Sequence, residues 1–374
     1  MRNAVIVGYK RSPFTFAHKG ALKTVRPDDL VASVIKSLVT ETGVNIDDIE
    51  DLKLGCAFPE GEQGLNLGRL AVFMADLPVS VAGVTTNRFC GSSMQTIHDA
   101  VGAIAAGSGD LFIACGVESM SRVPMTGFNP LPNPELYDKF PDAYEGMGIT
   151  AENLATKYKI GRGAQEEFAV ASHKKAAFAQ SEGNFDDEIV TIGDVAQDGC
   201  IRADASAEGL SGLNPAFDKN GSVTAGTSSP LTDGASGVII ASEEYADKHG
   251  LPKLARIKSF AVSGCAPDIM GIGPVSAAKK ALERADLTLN DIDIIELNEA
   301  FAVQALSVVQ ELGIDLAKTN LDGGAIALGH PLGASGARIT GKAASLLKRE
   351  GGKYALATMC IGGGQGIATV LERV

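Results

Sequence analysis

The sequence predicts an α/β fold of two similar halves with a loop domain between them, on three observations. Near-continuous apolar runs of strand length alternate with segments whose apolar residues recur at helical spacing. A short unit occurs twice: Cys90-Gly91-Ser92-Ser93, a helix, a turn and a strand ending at Cys115-Gly116, then Leu332-Gly333-Ala334-Ser335, a helix, the turn at Gly351-Gly352 and a strand ending at Met359, followed by Cys360-Ile361-Gly362. Between the two units, from about 121 to 229, the texture changes to a proline-rich stretch, Pro124 to Pro141, and polar loops around Asp186 to Ser211. Such an insertion carries substrate-binding loops more readily than core. The expected division is an N-terminal half over 1–250, including the loop domain, and a C-terminal half over 251–374.

Each element has its own warrant. Ala4-Val5-Ile6-Val7 is strand-like and opens the chain. Asp28 to Val39, Met94 to Ala106, Val275 to Ala285, Phe301 to Leu312 and Ala337 to Lys348 carry apolar residues at helical spacing, and Ala164 to Glu182 adds a helix to the loop domain. Leu111 to Cys115, Gly237 to Ala241 and Tyr354 to Thr358 are apolar throughout, as strands covered on both faces are.

Composition sets the class. The chain has 374 residues, 45% hydrophobic and 21% charged, with 44 glycines. That suits a compact enzyme with many tight turns. A net charge of −12 argues against a nucleic-acid surface, which needs clustered Lys and Arg. The six cysteines, Cys56, Cys90, Cys115, Cys200, Cys265 and Cys360, show no C-x-x-C spacing, so no metal site is expected. Reduced thiols, the absence of a signal-like or membrane-length apolar run, and an ending unlike Ser-Lys-Leu all point to the cytoplasm.

Three residues in glycine-rich frames are the candidates for chemistry. Cys90 follows Asn87-Arg88-Phe89 and precedes Gly91-Ser92-Ser93 and a helical pattern. A free cysteine is often just a small buried hydrophobe. At a helix N-terminus, however, the dipole and free N–H groups favour a thiolate. On the residues alone both readings stand. His330 lies between Gly329 and Pro331, in a constrained loop that can aim its ring as a base. His18, His98, His173 and His249 sit in ordinary polar or helical settings and are read as structural. Cys360 follows a buried strand and precedes Gly362-Gly363-Gly364, a turn that can present N–H groups to an oxyanion. A phosphate loop fails there, because Gln365-Gly366-Ile367 replaces the required Lys and Ser or Thr. A dinucleotide fingerprint fails at Gly8-Tyr9-Lys10-Arg11, which lacks the later glycines. Asn298, after Ile294 to Leu297, reads either as a helix N-cap or as an amide that holds a water or the imidazole.

Taken together, Asn87 to Ser93, Gly116 to Met120, Thr224 to Ser229, Asp233-Gly234-Ala235, Asn298 to Ala302, Gly323 to Arg338 and Cys360 to Gly366 resemble the thiolase family, in family order and over essentially the whole chain. Within it the likeness is to degradative 3-ketoacyl-CoA thiolases such as the thiolase subunit of bacterial fatty-acid oxidation complexes. The resemblance implies a layered αβαβα arrangement and a homo-oligomer, either a dimer or a dimer of dimers. It admits a hydratase/dehydrogenase subunit as a further partner. It implies that Cys90 is the acylated nucleophile, His330 its base and Cys360 the acid/base at the α-carbon of acetyl-CoA. Asn298, through a water, and His330 would form one oxyanion hole, and the N–H groups of Cys90 and Gly362 the other. Ser229, Arg202, Leu213 and Phe217 would line the coenzyme A site. Met147 and Met270 would border the acyl chain, and Phe301 would be a further substrate- or coenzyme A-binding residue. Coenzyme A would be a co-substrate, with no cofactor bound permanently.

The implied reaction is cleavage of 3-ketoacyl-CoA by CoA; the alternative is condensation of two acetyl-CoA by an acetyl-CoA acetyltransferase with the same residues. Short-chain biosynthetic relatives carry His-Met where this chain has Gly146-Met147, which favours longer acyl chains. A ketoacyl synthase would use two histidines and lack a second catalytic cysteine, contrary to the frame around Cys360. A non-catalytic scaffold would not need Cys90, His330 and Cys360 together.

Overall fold

A computed structural model describes residues 2–374. The first half holds strands β1 (Ala4–Arg11), β2 (Thr15–Phe16), β3 (Asp51–Gly55), β4 (Ala82–Thr86), β5 (Leu111–Ser119) and β6 (Thr232–Ser242), with helices α1 (Pro27–Thr42), α2 (Leu67–Met74) and α3 (Ser92–Ala105). Between β5 and β6 the chain forms α4 (Pro134–Lys139), α5 (Met147–Tyr158), α6 (Arg162–Ser181) and α7 (Ala207–Ser211). Helix α8 (Glu243–Lys248) leads to β7 (Ala255–Gly264), α9 (Gly273–Ala285), β8 (Ile294–Leu297), α10 (Ala302–Leu312), α11 (Ala325–Leu328), α12 (Leu332–Glu350), β9 (Tyr354–Ile361) and β10 (Gln365–Glu372). Among the described residues no helix is long and apolar enough to cross a membrane.

The halves repeat one pairing scheme. β3 runs parallel to β5, β5 antiparallel to β6, and β6 antiparallel to β1. In the same way β8 runs parallel to β9, β9 antiparallel to β10, and β10 antiparallel to β7. β4 extends the first half beyond β3, and β2 pairs with β6 off the main path. The halves join where β1 meets β7 through Val5↔Arg256 and Ile6↔Ala255.

Helices α3 and α12 pack on each other and touch strands of both halves, while α1 covers the first half and α9 the second. Three apolar clusters follow this layering. One surrounds α3 and α12, with Met94, Ile97, Ala337, Ile339 and Met359. A second lies under α1, with Val31, Ile35, Leu54 and Ile113. The third lies under α9, with Ala278, Ala281, Leu356 and Val370. β5 and β6 are buried along their whole length, and a strand covered on both faces favours apolar residues, as in their runs Leu111–Cys115 and Gly237–Ala241.

The two central helices approach so closely that a side chain on Gly336 would run into the Met94 backbone. This contact explains one difference from the sequence pattern. α12 begins at Leu332, five residues before the expected Ala337. Leu332-Gly333-Ala334-Ser335-Gly336 has poor helix propensity, but close packing on α3 and β5 holds it helical. The strand carrying Cys360 is also longer than expected, so Cys360 lies inside β9 and the glycine turn starts two residues later. The loop domain is clipped to the core by buried ion pairs. Arg11 on β1 binds Asp198 at 2.7 Å and Glu188 at 2.7 Å, and Lys342 on α12 binds Glu188 at 3.0 Å and Asp322 at 2.6 Å. Charges this deep persist only when paired, so loss of one partner would cost about 3–5 kcal/mol.

Candidate active site

Cys90 and His330 occupy equivalent positions of the two halves. Cys90 precedes the first residue of α3 by two, and His330 precedes the first residue of α12 by two. The buried N-terminal ends of the two central helices thus each deliver one group.

The Cys90 turn is tightly made. Phe89 has φ +43°, in the left-handed region that costs a bulky residue about 1 kcal/mol or more. Hydrogen bonds enforce it. The Phe89 N–H donates to Asn87 Oδ1 at 2.8 Å, the Arg88 N–H to Ser92 Oγ at 2.9 Å, and Ser92 Oγ–H to the Phe89 carbonyl at 2.6 Å. Gly91 then lies so close to Ile361 that a side chain there would press on it, which seats the end of β9 against this turn. Gly362 lies within about 4 Å of Phe89 and Met147 by the same measure.

The resting thiol differs from expectation. Burial pushes Cys90 up to about 11, although the N–H groups of Gly362 and Cys90 itself pull the other way. The helix end therefore does not produce a free thiolate in this 8% exposed site; desolvation wins. Cys360 is also pushed well above an ordinary thiol, by burial and then by Cys90. Both sulfurs are protonated at neutral pH, and a base is required.

His330 has the protonation state such a base needs. Burial, and secondarily Arg338, lowers its pKa to about 3, so the ring is neutral. Its tautomer follows from Ser335. That hydroxyl donates to the Pro331 carbonyl at 3.0 Å, so at 2.6 Å it accepts from His330 Nδ1–H. Nε2 is left as the lone-pair nitrogen, facing Asn298 Nδ2 at 3.4 Å. Asn298 Oδ1 is buried without a partner. Asn298 is not an N-cap, since Phe301 holds that place on α10.

Two buried glutamates that sequence reasoning did not single out hold the frame. Glu118 accepts from the Ala57 N–H at 2.8 Å, the Phe58 N–H at 3.3 Å, Gln63 Nε2 at 2.7 Å and the Gly333 N–H at 2.9 Å. It thereby ties the first half to the start of α12, just after His330. Glu299 accepts from Ser172 at 2.7 Å, Asn320 at 2.7 Å and the Ile326 N–H at 3.2 Å, joining α6 to the segments that bear Asn298 and His330. Burial raises the pKa of each glutamate against these donors.

The expected binding residues divide into two groups. Met147, Met270 and Phe301 cluster with Cys360. Phe217 stacks edge-on against Phe301, with centroids 5.8 Å apart. Arg202 and Leu213 line a separate cleft of about 200 Å³ with Phe16, His173, Asp204 and Ser228. Ser229 lies beside it, with its N–H donated to the Ala300 carbonyl at 3.0 Å. His173, read as structural, is on the cleft wall, and Ser228 joins Phe301 in an isolated bridge between the two groups. A helical histidine and a serine in a serine pair carried no signal that could have set them apart.

Comparison with known proteins agrees with this architecture. The thiolase N-terminal domain matches residues 4–244 and the thiolase C-terminal domain residues 251–373. The chain is 47% identical over 389 residues to a 3-ketoacyl-CoA thiolase of Bacillus subtilis (strain 168), and 48% identical over 388 residues to one of Pseudoalteromonas translucida (strain TAC 125), covering 100% of both chains in each case. Human mitochondrial 3-ketoacyl-CoA thiolase, in its crystal structure in complex with CoA, has the same fold at TM-score 0.93 and 38% identity, over 100% of this chain and 98% of that one. With both of its domains matched and full-length relatives at nearly half identity, this chain belongs to the thiolase family.

Proposed function

We propose that the chain cleaves 3-ketoacyl-CoA with coenzyme A, releasing acetyl-CoA and an acyl-CoA two carbons shorter. The observation that carries this reading is the buried His330, whose Nδ1 is engaged by Ser335 at 2.6 Å so that Nε2, facing Asn298 Nδ2 at 3.4 Å, keeps the lone pair, in a fold that also buries Cys90 and Cys360.

His330 Nε2 takes the Cys90 proton as sulfur attacks the keto carbon. The resulting oxyanion is held by the N–H groups of Cys90 and Gly362. The bond between the α-carbon and the keto carbon then breaks. The departing enolate of acetyl-CoA is stabilised by His330 N–H and by a water on Asn298, and its carbon takes the Cys360 proton. The acyl group stays on Cys90 as a thioester, which conserves its reactivity. Coenzyme A then gives its thiol proton to Cys360 and attacks the acyl group. Cys90 leaves and recovers its proton from His330. Condensation of two acetyl-CoA is the reverse of this path. The relatives called 3-ketoacyl-CoA thiolase support cleavage as the working direction.

In this reading the nucleotide end of coenzyme A occupies the cleft of Arg202, Leu213 and Ser229, with Phe217 towards the acyl end. Met147, Met270 and Phe301 meet the acyl chain. Coenzyme A is a co-substrate, not a resident cofactor. The chain divides near residue 250 into the two halves. A second copy covers β4, an edge strand whose surroundings expose Leu65, Leu70, Phe73, Val84 and Phe89. A reducing compartment such as the cytoplasm fits a site that needs free thiols, and all six cysteines are unpaired.

Steady-state thiolysis across chain lengths tests the reading. The expected result is a higher kcat/KM for a C6 to C10 3-ketoacyl-CoA than for acetoacetyl-CoA. Activity on acetoacetyl-CoA alone would contradict it and favour the acetyltransferase.

A further inference from the structure

Helix α12 packs on β8, and the segments that hold them meet in two polar pairs. One is the contact of Asn298 with His330. The other joins Glu296 Oε2 to Arg338 Nη1 at 3.2 Å, with both side chains buried. The two pairs are placed by the same local geometry. Glu296 and Asn298 are two residues apart on an extended segment, where alternate side chains share a face, and the Asn298 N–H still donates to the Thr358 carbonyl of β9 at 3.0 Å. Ser335 and Arg338 are three apart on α12 and are neighbours on its surface. Ser335 holds His330 Nδ1, so the part of α12 that orients the ring also bears the guanidinium.

Glu296 differs from the two glutamates that hold the frame. Glu118 and Glu299 each gather several N–H or O–H donors. The Glu296 side chain accepts from Arg338, and its Oε1 is buried without a hydrogen-bond partner. In turn, Glu296 is the only carboxylate paired with Arg338 among the described residues. The other ionisable groups around Glu296 are Lys342 on α12, Asp322 ahead of α11, Glu188 in the loop domain, Lys175 on α6 and Tyr9 on β1. Glu188 and Asp322 are engaged with Lys342, so neither replaces Glu296 at Arg338.

Arg338 is the charged group that acts on His330, and it disfavours a second positive charge there. The imidazole must nevertheless carry one each time it holds the Cys90 proton. Burial raises the Glu296 carboxyl to about 7, against the pull of Arg338 and Lys342. Glu296 is therefore charged above about pH 7 and neutral below it, whereas His330, held to about 3, does not titrate in this range.

We propose that Glu296 is a positioning residue for the reaction: paired with Arg338, it cancels the guanidinium charge that acts on His330 and so lets the ring take the Cys90 proton. The proposal rests on the thiolysis reading.

The test follows kcat, KM and the rate of Cys90 alkylation by iodoacetamide from pH 6 to pH 9, in the unaltered enzyme, in Glu296→Gln and in the double variant Glu296→Gln with Arg338→Gln. Alkylation needs the same proton transfer but no acyl-CoA. Glu296→Gln leaves Arg338 unbalanced and is expected to lower kcat and the alkylation rate at pH 8 by about tenfold to a hundredfold, with KM for 3-ketoacyl-CoA little changed. In the unaltered enzyme both rates should fall as pH drops through about 7, and that fall should be absent from Glu296→Gln. The double variant removes the unbalanced charge and should recover most of the loss, whereas a merely structural pair would leave it no faster than the single variant. Rates that stay flat from pH 6 to pH 8 in the unaltered enzyme overturn the proposal, and this outcome needs no variant to fold. A fall near pH 7 that persists in Glu296→Gln, or a double variant as slow as the single one, overturns it as well. An unaltered enzyme that shows no thiolysis, while its alkylation keeps both the fall and the recovery, overturns the underlying function and not the role of Glu296.

Discussion

Cys360 and Cys90 are of one chemical type and lie near enough for Cys90 to push up the Cys360 thiol, yet their surroundings set them apart. Cys90 has the two N–H groups of a prospective oxyanion hole and a strained turn that presents its sulfur. Cys360 is inside β9, fully buried, with Met147 and Met270 around it. Cys360→Ala should therefore abolish carbon–carbon cleavage and the exchange of acetyl-CoA α-protons with solvent, while Cys90 is still acylated from acyl-CoA, a step that forms no carbanion. Deuterium exchange measured by mass spectrometry checks this; exchange by the variant at the unaltered rate would remove Cys360 from proton transfer. Cys90, His330 and Cys360 were legible in the sequence because each interrupts an apolar pattern with a glycine frame. Their protonation states were not. The helix N-terminus before Ser92 suggested a thiolate, but the depth of burial that reverses it depends on β9 and β10, far away in the chain. Ser335 was equally hidden. It is an ordinary helical serine until the fold sets its hydroxyl between His330 Nδ1 and the Pro331 carbonyl.

At the scale of elements, we predict that the start of α5 governs what acyl chain is accepted. Gly146 is its N-cap, with an extended φ of −68°, and a side chain there would meet nothing within 4 Å. Gly146→His can therefore be accommodated by the backbone and would fill space beside Met147. The variant should shift the kcat/KM ratio of a C8 over a C4 3-ketoacyl-CoA towards the short substrate by about tenfold, near the worth of two buried methylenes at ~0.8 kcal/mol each. Paired kinetics on the two substrates decide it, and an unchanged ratio would place the chain-length filter elsewhere. Helix and strand types were readable from spacing. The start of α12 was not, because Gly333, Ser335 and Gly336 are weak helix formers held helical by contact with α3, and contact between segments so far apart in the chain leaves no local trace. Glu118 was obscure for the same reason, as its four donors come from three separate segments.

Across the whole molecule, the repeated halves meet through α3 and α12, and buried neutral histidines lie along that meeting. Burial holds His98 to about 3, like His330, while His98 Nε2 pairs with Thr369 Oγ1 at 2.8 Å and its ring stacks on Phe260. A folded-state pKa below the unfolded value of 6.5 means that the unfolded chain alone takes up the proton as pH falls. The stability that His98 contributes is complete above about pH 6.5 and is lost progressively towards pH 3. Comparing Tm for the unaltered protein and His98→Gln, the gap should narrow from pH 7 to pH 4.5; a constant gap would mean that the histidine is protonated in the fold. The central claim is that the two halves create one site in which Cys90 alone accepts the acyl group. Peptide mapping by mass spectrometry, after rapid quenching with 3-ketoacyl-CoA, tests it most directly. The account predicts an acyl adduct on the peptide that contains Cys90, absent in Cys90→Ser and retained when Cys360→Ala is acylated from acyl-CoA. An adduct on Cys360, or turnover by Cys90→Ser at the unaltered rate, would contradict it.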